Sequence, residues 1–411
     1  MTEPKSDLKP RRLSNVTAFK KTLIDLEKDI YFENWRVSDE EMGVDSGVQW
    51  HIEKGRLRGG RRDCIDIVEV DNGRFSFVIV PTRGMGIWKG EFDGCFLGWG
   101  SPVKMLVHPH YINLEDRGGL GWLSGYNEWV VRCGLESNGA PCEDTIIDNV
   151  GKPKQVRLTL HGKVANIPAS KVEAYVKVEK PFELGVQGVV YEESMFGPNM
   201  KLSTTITTAV ESNWIRISDV IENLRAVPTE MQLLYHCNYG PPFLEEGSHL
   251  IAPVQRLAPR DERASEGIEG FSTFGPPEPG FVEQVYFIKL IGDKDGYTNV
   301  MLANKNETKA ISVGLSIKQL PYFTLWKNTA SLEDGYVVGL EPATNFPNPK
   351  PFERKMGRVV NLKPRERYFA EVTLAVHLGE EDLEKAKSRI ELQSKVKPEI
   401  YTKPIPDFSP I

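Results

Sequence analysis

The chain has 411 residues, of which 40% are hydrophobic and 26% are charged, as in an ordinary globular protein. Its 51 lysines and arginines against 57 aspartates and glutamates give a net charge of −6, and without a basic surplus a nucleic-acid partner is not expected. No apolar run approaches the ~20 residues of a membrane helix, and the polar N-terminus has no apolar signal core, so we expect a soluble, cytoplasmic protein without a membrane partner.

The first predicted element is a helix over residues 13–29, whose apolar residues recur at helical spacing. Short β-rich segments punctuated by glycine and proline then follow through most of the chain. In residues 201–210 the side chains alternate with period two, which is typical of a half-buried antiparallel strand. A second helix is predicted over residues 378–394, because its first turn is acidic.

This pattern predicts an all-β fold, a large antiparallel β-sandwich with a few peripheral helices. Three regions are expected: an N-terminal helical arm (1–39), a main β-domain (40–377), and a C-terminal helix with an extended tail (378–411). The tail is rich in proline and apolar residues. It can lie across its own domain or across a second subunit, so a homo-oligomer stays an open alternative.

Three apolar strands each end at one polar side chain followed by a chain break. The strand that delivers Glu341 is broken at once by Pro342. RLTLHG puts His161 directly before a glycine, and LLYHCNYGPP puts His236 before an Asn and Gly-Pro-Pro. A carboxylate or an imidazole held rigidly beside a loop suits acid–base chemistry. Each residue taken alone suits a structural role in a turn at least as well.

The order of these motifs resembles that of the galactose mutarotase (aldose 1-epimerase) superfamily. LHG at 160–162, YHCNYG at 235–240 and GLEPATNFPN at 339–348 occur in the order used by its members. PTRGMGI, WGSP, RCGL, QLPYFTLWK and GLEP together look more narrowly like the DUF4432 branch of aldose-epimerase-like proteins. The resemblance covers most of residues 70–377. It implies a β-sandwich of the kind called a supersandwich, with an open sugar cleft on its concave sheet.

The resemblance also implies a function, that of an isomerase that opens a sugar ring and recloses it on the other face of the anomeric carbon. This chemistry needs one carboxylate and one imidazole, and no metal or cofactor is expected. By residue match, Glu341 is the general base and His236 the general acid. His161 matches a second histidine that binds sugar hydroxyls. The expected substrate is a free sugar or a sugar derivative.

Charged residues that bind substrate are expected from the same resemblance. Family members use an arginine before the LHG strand, and Arg83 and Arg132 are the candidates here. Arg83 is preferred because it follows an apolar strand that turns on glycine. For either arginine, a solvated surface position is the alternative. Glu283 is the best match to an acid between the histidine strand and the final glutamate, although family members carry an aspartate there.

The segment QLPYFTLWK supplies candidates for the wall of the cleft. Trp326 can stack on the apolar face of a sugar, while Gln319 and Lys327 can contact hydroxyls or an acidic group. The alternative is that the aromatic residues are core and that Lys327 pairs with a glutamate. Three more tryptophans are wall candidates with the same alternative: Trp88, Trp99 and Trp122.

Rival classes of function use the same residues. His161, His236 and a glutamate would suit zinc or manganese, but no HExxH-type spacing supports a metal, and the five cysteines show no CxxC pairing. A sugar lyase or hydrolase on the same sandwich can use the histidine–glutamate pair for proton abstraction beside a carbonyl. A carbohydrate-binding protein without catalysis is the third interpretation. An intact pair of His236 and Glu341 argues against it, because a binder has no need of both.

Overall fold

The structure is a computed structural model that describes residues 18–44, 46–394 and 396–410. Its strands are, in chain order, β1 (Ala18–Asp25), β2 (Ile30–Tyr31), β3 (Trp35–Ser38), β4 (His51–Arg56), β5 (Asp66–Asp71), β6 (Phe75–Val80), β7 (Gly86–Phe92), β8 (Cys95–Leu97), β9 (Val130–Leu135), β10 (Cys142–Ile147), β11 (Pro153–Leu158), β12 (Lys171–Lys177), β13 (Glu183–Glu193), β14 (Asn199–Ala209), β15 (Trp214–Asn223), β16 (Thr229–Tyr239), β17 (His249–Ile251), β18 (Val254–Pro259), β19 (Gln284–Leu290), β20 (Tyr297–Ala303), β21 (Lys309–Ser316), β22 (Tyr322–Asn328), β23 (Val337–Ala343), β24 (Val360–Leu362), β25 (Arg367–Leu378) and β26 (Glu399–Ile400). The α-helices are α1 (Asp39–Met42), α2 (Asp116–Gly119), α3 (Glu262–Glu266), α4 (Lys350–Lys355) and α5 (Glu380–Gln393). The 3-10 helices are Gly60–Arg62, Pro81–Arg83, Pro109–Tyr111, Gly121–Gly125, Val164–Asn166, Ile268–Gly270 and Leu332–Asp334.

Two large sheets contain all but two of these strands. The first sheet has ten strands in the order β17-β20-β21-β25-β15-β14-β13-β12-β1-β2. The second has fourteen, in the order β26-β18-β19-β22-β23-β16-β9-β7-β6-β5-β4-β3, with β8 beside β7 and β24 beside β16. Strands β10 and β11 form a separate hairpin. Except for β26, which runs parallel to β18, named neighbours are antiparallel, so the predicted antiparallel sandwich is confirmed.

The main core lies between the two sheets. In β14, Met200, Leu202, Thr204 and Ile206 are buried while the residues between them are partly exposed, as the period-two alternation predicts. Their apolar members share one cluster with residues of the second sheet such as Tyr235 of β16. Burying one face of each sheet fixes the register of its strands, because a one-residue slip would turn every core side chain to the opposite face.

The helix predicted over residues 13–29 is wrong in its described part, because Ala18–Asp25 is strand β1. This strand pairs with β12 from Ala18 opposite Lys177 to Asp25 opposite Lys171, with an irregularity after Thr22. Apolar spacing in this short segment fits a helix locally, but the free edge of β12 supplies backbone partners that override local propensity. Residues 1–17 of the predicted arm lie outside the described residues.

The C-terminal helix is confirmed as α5, which covers the first sheet through Leu383 and Ile390. Part of the tail that follows lies against its own chain, since β26 pairs with β18 and Phe408 is buried in a cluster with Phe346. The boundaries drawn between the three predicted regions stay a prediction. In the described part of the chain, no helix combines the length and the apolar character that crossing a membrane requires.

Candidate active site

Strands β22, β23 and β16 are neighbours in the second sheet and bring two predicted catalytic residues to one face. Tyr235 and Cys237 of β16 point into the core between the sheets. Because side chains alternate along a strand, His236 points to the opposite face. Glu341 on β23 lies opposite Thr324 of β22 in the ladder. The side of the second sheet that faces away from the core therefore carries the site.

His236 and Glu341 are in direct contact, with 3.1 Å between His236 Nε2 and Glu341 Oε1. Both residues are almost fully buried, at 5% and 2% exposure. The approach depends on Gly339, because a Cβ there would lie 2.5 Å from Glu341 Oε1. Glu341 Oε1 has no hydrogen-bond partner among the described residues. A buried carboxylate oxygen in this state is free to exchange a proton with a ligand.

Asn238 determines which ring nitrogen of His236 faces Glu341. Its Nδ2 group donates to the backbone carbonyls of Glu128, at 3.0 Å, and of His236, at 3.3 Å. The Oδ1 atom is thereby turned towards Tyr126, whose hydroxyl donates to it, and lies 2.6 Å from His236 Nδ1. An amide oxygen only accepts, so His236 Nδ1 carries the hydrogen. In the neutral ring, Nε2 is then the unprotonated nitrogen, and it faces Glu341.

His161 lies beside this pair, with its ring centroid 5.5 Å from that of His236. It adopts φ 58°, a left-handed backbone conformation, and the next residue is Gly162. A Cβ on Gly162 would lie 2.1 Å from the carbonyl oxygen of Ser137, so the turn that presents His161 admits only glycine there. His161 Nδ1 donates to the carbonyl of Asn138 at 2.9 Å, which leaves Nε2 as the acceptor.

Aromatic rings surround the two histidines. The Trp122 ring lies 4.7 Å from His161 and 4.6 Å from Tyr126, measured between centroids. The Trp326 ring lies 5.3 Å from His236 on another side. Trp326 and His161 are partly exposed, whereas Trp122 and Tyr126 are buried. The site therefore opens to solvent beside Trp326 and His161, between flat apolar surfaces of the kind that pack on sugar rings.

Burial favours the neutral form of all three titratable groups in the site. It raises the pKa of Glu341 well above its ordinary value, and the negative charge of Glu283 raises it further. Burial and the neighbouring His161 hold the pKa of His236 well below 6.5. Burial likewise lowers the pKa of His161 to about 4. Burial therefore disfavours a charge on any of the three groups.

Glu283 lies at the rim of the site, beside Trp326, and its contact with substrate stays a prediction. Its Oε2 accepts a hydrogen bond from Trp326 Nε1 at 2.7 Å, and its Oε1 accepts one from Arg260 at 3.0 Å. The carboxylate is 42% exposed. It holds the indole at the mouth of the site while keeping part of its surface open to a ligand.

The two predicted arginines are buried and engaged elsewhere. Arg83 is fully buried and bonds to Glu128, Asn166 and two backbone carbonyls, so its guanidinium does not line the opening. Arg132 points into the core between the sheets, where Nε lies 2.5 Å from Asp219 Oδ2. We expected each arginine either to contact substrate or to lie on a solvated surface, and the structure shows neither. Each arginine joins distant parts of the fold through a buried charge pair.

Gln319 and Lys327 also lie away from the pair of His236 and Glu341. Gln319 accepts hydrogen bonds from Tyr368 and Glu371 of β25, in the first sheet. Lys327 follows Trp326 on β22 and therefore points to the opposite face, where Nζ donates to two backbone carbonyls. Burial lowers the pKa of Lys327 to about 8. Of the residues predicted in QLPYFTLWK, the structure brings Trp326 to the site.

The other predicted wall residues divide in a similar way. Trp122 lines the site, and Trp99 supports it from behind with its ring centroid 4.9 Å from that of Tyr126. Trp88 packs instead against a separate apolar cluster with Ile65 and Leu106. In the part of the chain that the structure describes, no three of the His, Cys, Asp and Glu side chains converge as ligands for a metal ion.

Three residues near the site are missing from the sequence predictions. Asn238 was recoverable, because it is two residues from His236 in an extended strand and so shares its face. Asn138 bonds reciprocally to Asn345 at 3.0 and 2.8 Å, which ties the backbone that holds His161 to the segment after Glu341. The two asparagines are 207 positions apart, so no local sequence pattern predicts their contact. Tyr126 lies in a connection without a periodic pattern, so the sequence does not indicate its role either.

Comparison with known proteins shows which family the chain matches. A family model described as "Domain of unknown function (DUF4432)" matches residues 62–376. The crystal structure of a candidate aldose 1-epimerase from Klebsiella pneumoniae subsp. pneumoniae MGH 78578 has 33% sequence identity and a TM-score of 0.89. The match covers 94% of this chain and 99% of that one. No protein in a curated set matches the sequence.

More distant structures share the fold alone. A galactose mutarotase-like protein from Clostridium acetobutylicum has 14% identity and a TM-score of 0.54, over 84% of this chain and 99% of that one. A galactose mutarotase related enzyme from Lactobacillus acidophilus has 13% identity and a TM-score of 0.51, over 77% of this chain and 99% of that one.

Proposed function

We propose that this chain, which belongs to the DUF4432 family, is a carbohydrate isomerase that interconverts the anomers of a free sugar or sugar derivative. The observation that carries the proposal is the contact of His236 Nε2 with Glu341 Oε1 at 3.1 Å, inside an opening walled by indole rings. The description of the Klebsiella pneumoniae protein as a candidate aldose 1-epimerase supports the same class of reaction.

Ring opening requires two proton transfers at neighbouring atoms. The proton of the anomeric hydroxyl passes to a base, the bond between the anomeric carbon and the ring oxygen breaks, and the ring oxygen receives a proton from an acid. Because both oxygens are bonded to the same carbon, the base and the acid have to be neighbours, as His236 and Glu341 are. Rotation of the aldehyde followed by the reverse transfers closes the ring on its other face.

The pKa shifts of Glu341 and His236 set the direction of the first transfers. Burial raises the pKa of Glu341 and lowers that of His236, and both shifts favour the carboxyl as the group that holds the proton. Glu341 is then the acid at the ring oxygen, and His236 Nε2 the base at the hydroxyl. The resemblance assigns the opposite roles. Since ring closure reverses ring opening, each group acts once as acid and once as base.

The remaining groups bind and orient the ring. His161 Nε2 accepts a hydrogen bond from a sugar hydroxyl, since its Nδ1 donates to Asn138. Trp326 and Trp122 offer flat apolar faces for the hydrogen-bearing side of the sugar. The exposed part of the Glu283 carboxylate accepts from hydroxyls at the rim. These contacts hold the anomeric carbon against the catalytic pair and exclude water from it.

The test is anomer exchange measured by NMR magnetisation transfer on a panel of aldoses. Wild-type protein accelerates exchange of at least one of them, whereas Glu341→Gln and His236→Asn lose about 10²-fold or more of that rate. A second histidine–glutamate pair, His249 and Glu307 at 3.0 Å on the surface, supplies the matched control. His249→Asn and Glu307→Gln keep the wild-type rate.

Three results contradict the proposal. Wild-type exchange rates in Glu341→Gln, with sugar still bound, would show that the carboxyl takes no part in the reaction. Sugar binding without any accelerated exchange by the wild-type protein would leave a carbohydrate-binding protein instead, and release of an unsaturated or hydrolysed product would indicate the lyase or hydrolase.

A further inference from the structure

A second cavity lies outside the site of His236 and Glu341 and has a volume of about 500 Å³. The loop at residues 59–62 forms one side of it, and the segment at residues 102–107 forms the other. We call this cavity the basic groove, after the three cations that line it: Arg61, Arg62 and Lys104. Its volume falls in the range of small-molecule sites.

The charge of the basic groove is unbalanced. None of its lining residues is acidic, and within the described residues none of its three cations has a carboxylate oxygen within 4.0 Å. The nearby Asp63 is engaged by the backbone N–H of Gly59 and by Cys64, which lowers its pKa. In a chain of net charge −6, three cations around one concavity make a localised site for an anion.

Both guanidinium groups are held by neutral partners that leave donors free. Arg61 donates one N–H to the carbonyl of Ser124 at 2.9 Å, and Arg62 donates Nε–H to the carbonyl of Arg58 at 3.1 Å. These bonds orient the planar groups without consuming their charge. The remaining N–H donors of Arg61 and Arg62, together with the ammonium of Lys104, can surround an oxyanion at little further cost in side-chain entropy.

The rest of the lining defines what accompanies the anion. Val103, Met105 and Val107 supply an apolar side, and Met105 is 45% exposed. On the opposite side, Gly59 and Gly60 put no side chain at the turn, and a Cβ at either position would meet no atom within 4 Å. An inorganic ion alone would leave the apolar side unused, whereas an organic phosphate fills it.

We propose that the basic groove binds a small organic phosphate, with the phosphate between Arg61, Arg62 and Lys104 and the organic part against Met105. The groove lies behind the 3-10 helix Gly121–Gly125, which carries Trp122 into the candidate active site, because Arg61 holds Ser124 of that helix. The lining of the groove contains neither His236 nor Glu341, so its ligand occupies a site separate from that of the sugar.

Isothermal titration calorimetry in low-salt buffer without phosphate tests the proposal, with glucose 6-phosphate and inorganic phosphate as separate probes. The variant is Arg62→Gln with Lys104→Gln, which retains the bond of Arg61 to Ser124. Its dissociation constant for glucose 6-phosphate is at least tenfold weaker than that of the wild type. The control, Lys294→Gln with Lys403→Gln, removes two exposed charges that lie outside the groove and leaves affinity unchanged.

Each other result overturns a stated part of the proposal. If neither probe gives a binding heat at millimolar concentration, the groove is not a phosphate site. If the variant and the control lose affinity equally, binding depends on the net charge of the protein and not on the groove. If glucose 6-phosphate and inorganic phosphate bind with equal affinity, the apolar side contributes nothing to binding. The same titrations with glycerol 3-phosphate keep the test separate from the proposed isomerase, because this probe has no anomeric carbon for His236 and Glu341 to act on.

Discussion

Asn238 Oδ1 lies 2.6 Å from His236 Nδ1, and this contact sets the tautomer of the histidine that touches Glu341. The two backbone carbonyls that accept from Asn238 Nδ2 prevent the amide from turning over. As a result, Asn238 acts on proton transfer without reaching the substrate. It is a positioning residue, and its effect is separable from that of the catalytic pair.

Asn238→Leu removes the acceptor and lets the imidazole adopt the other tautomer, with Nε2–H facing Glu341. We expect kcat for anomer exchange to fall by about 10²-fold with KM changed little, because the substrate does not contact Asn238. The hydrogen bond that Asn238 Oδ1 accepts from His236 Nδ1 raises the pKa of His236, so its loss moves the acid limb of the pH profile to lower pH. NMR exchange rates measured across pH at several sugar concentrations check both effects.

Tyr126→Phe is the comparison for that variant. It removes a hydroxyl 3.1 Å from His236 Nδ1 but leaves Asn238 Oδ1 in place. Its loss of kcat is smaller, and its acid limb stays where the wild type has it. An unchanged profile and rate in Asn238→Leu would show that the amide only fills space.

We expect the rate of anomer exchange to follow a bell-shaped pH profile. The pair of His236 and Glu341 works while it holds one proton. Acid protonates His236, whose pKa lies below 6.5, and removes the base. Alkali ionises Glu341, whose pKa lies above its ordinary value, and removes the acid. Because the groups are in contact, the two limbs of kcat/KM report values for the pair and not for either residue.

The measurement is kcat/KM for one active aldose between acid and alkaline limits at which the protein stays folded. Glu341→Gln removes the alkaline limb along with most of the rate. A profile that is flat through both limits in the wild type would contradict a mechanism based on this pair.

Much of the fold and part of the site could be predicted from the sequence, for local reasons. Period-two alternation along β14 reports burial of one face. The predicted strand ends are displaced by two or three residues, because β11 ends at Leu158, β16 continues past His236 to Tyr239, and β23 continues past Glu341 to Ala343. The misassigned residues depend on partners that a local pattern does not contain. Arg132 pairs with Asp219, 87 positions away, and β1 becomes a strand because β12 lies beside it.

Gly339→Ala is predicted to damage the site more than the fold. The new Cβ would lie 2.5 Å from Glu341 Oε1 and 3.1 Å from His236 Cε1, so the carboxyl and the imidazole have to separate. A displacement of this size at reacting groups costs about 10²-fold in rate. The free energy of unfolding falls by roughly 1–3 kcal/mol, as for other overpacked positions.

Chemical denaturation and exchange rates measured on the same preparations check this prediction. Gly275→Ala is the control, because a Cβ there meets no atom within 4 Å. A fully active Gly339→Ala would show that the contact of His236 with Glu341 is not needed in its observed form.

Arg132→Met is predicted to reduce stability, in contrast to the role in sugar binding that the resemblance suggested. Arg132 lies between the two sheets, where it bonds to Asp219 at 2.5 and 2.9 Å and to Thr204 at 2.6 Å. Tyr235 also donates to Asp219, so removing the guanidinium leaves a buried carboxylate with one remaining side-chain donor. The loss is about 3–5 kcal/mol of unfolding free energy, as for other broken buried pairs. Arg132→Met with Asp219→Leu recovers much of it, because no uncompensated charge remains. Urea unfolding of both variants measures this difference. A raised KM for sugar with unchanged stability in Arg132→Met would show instead that Arg132 binds the substrate.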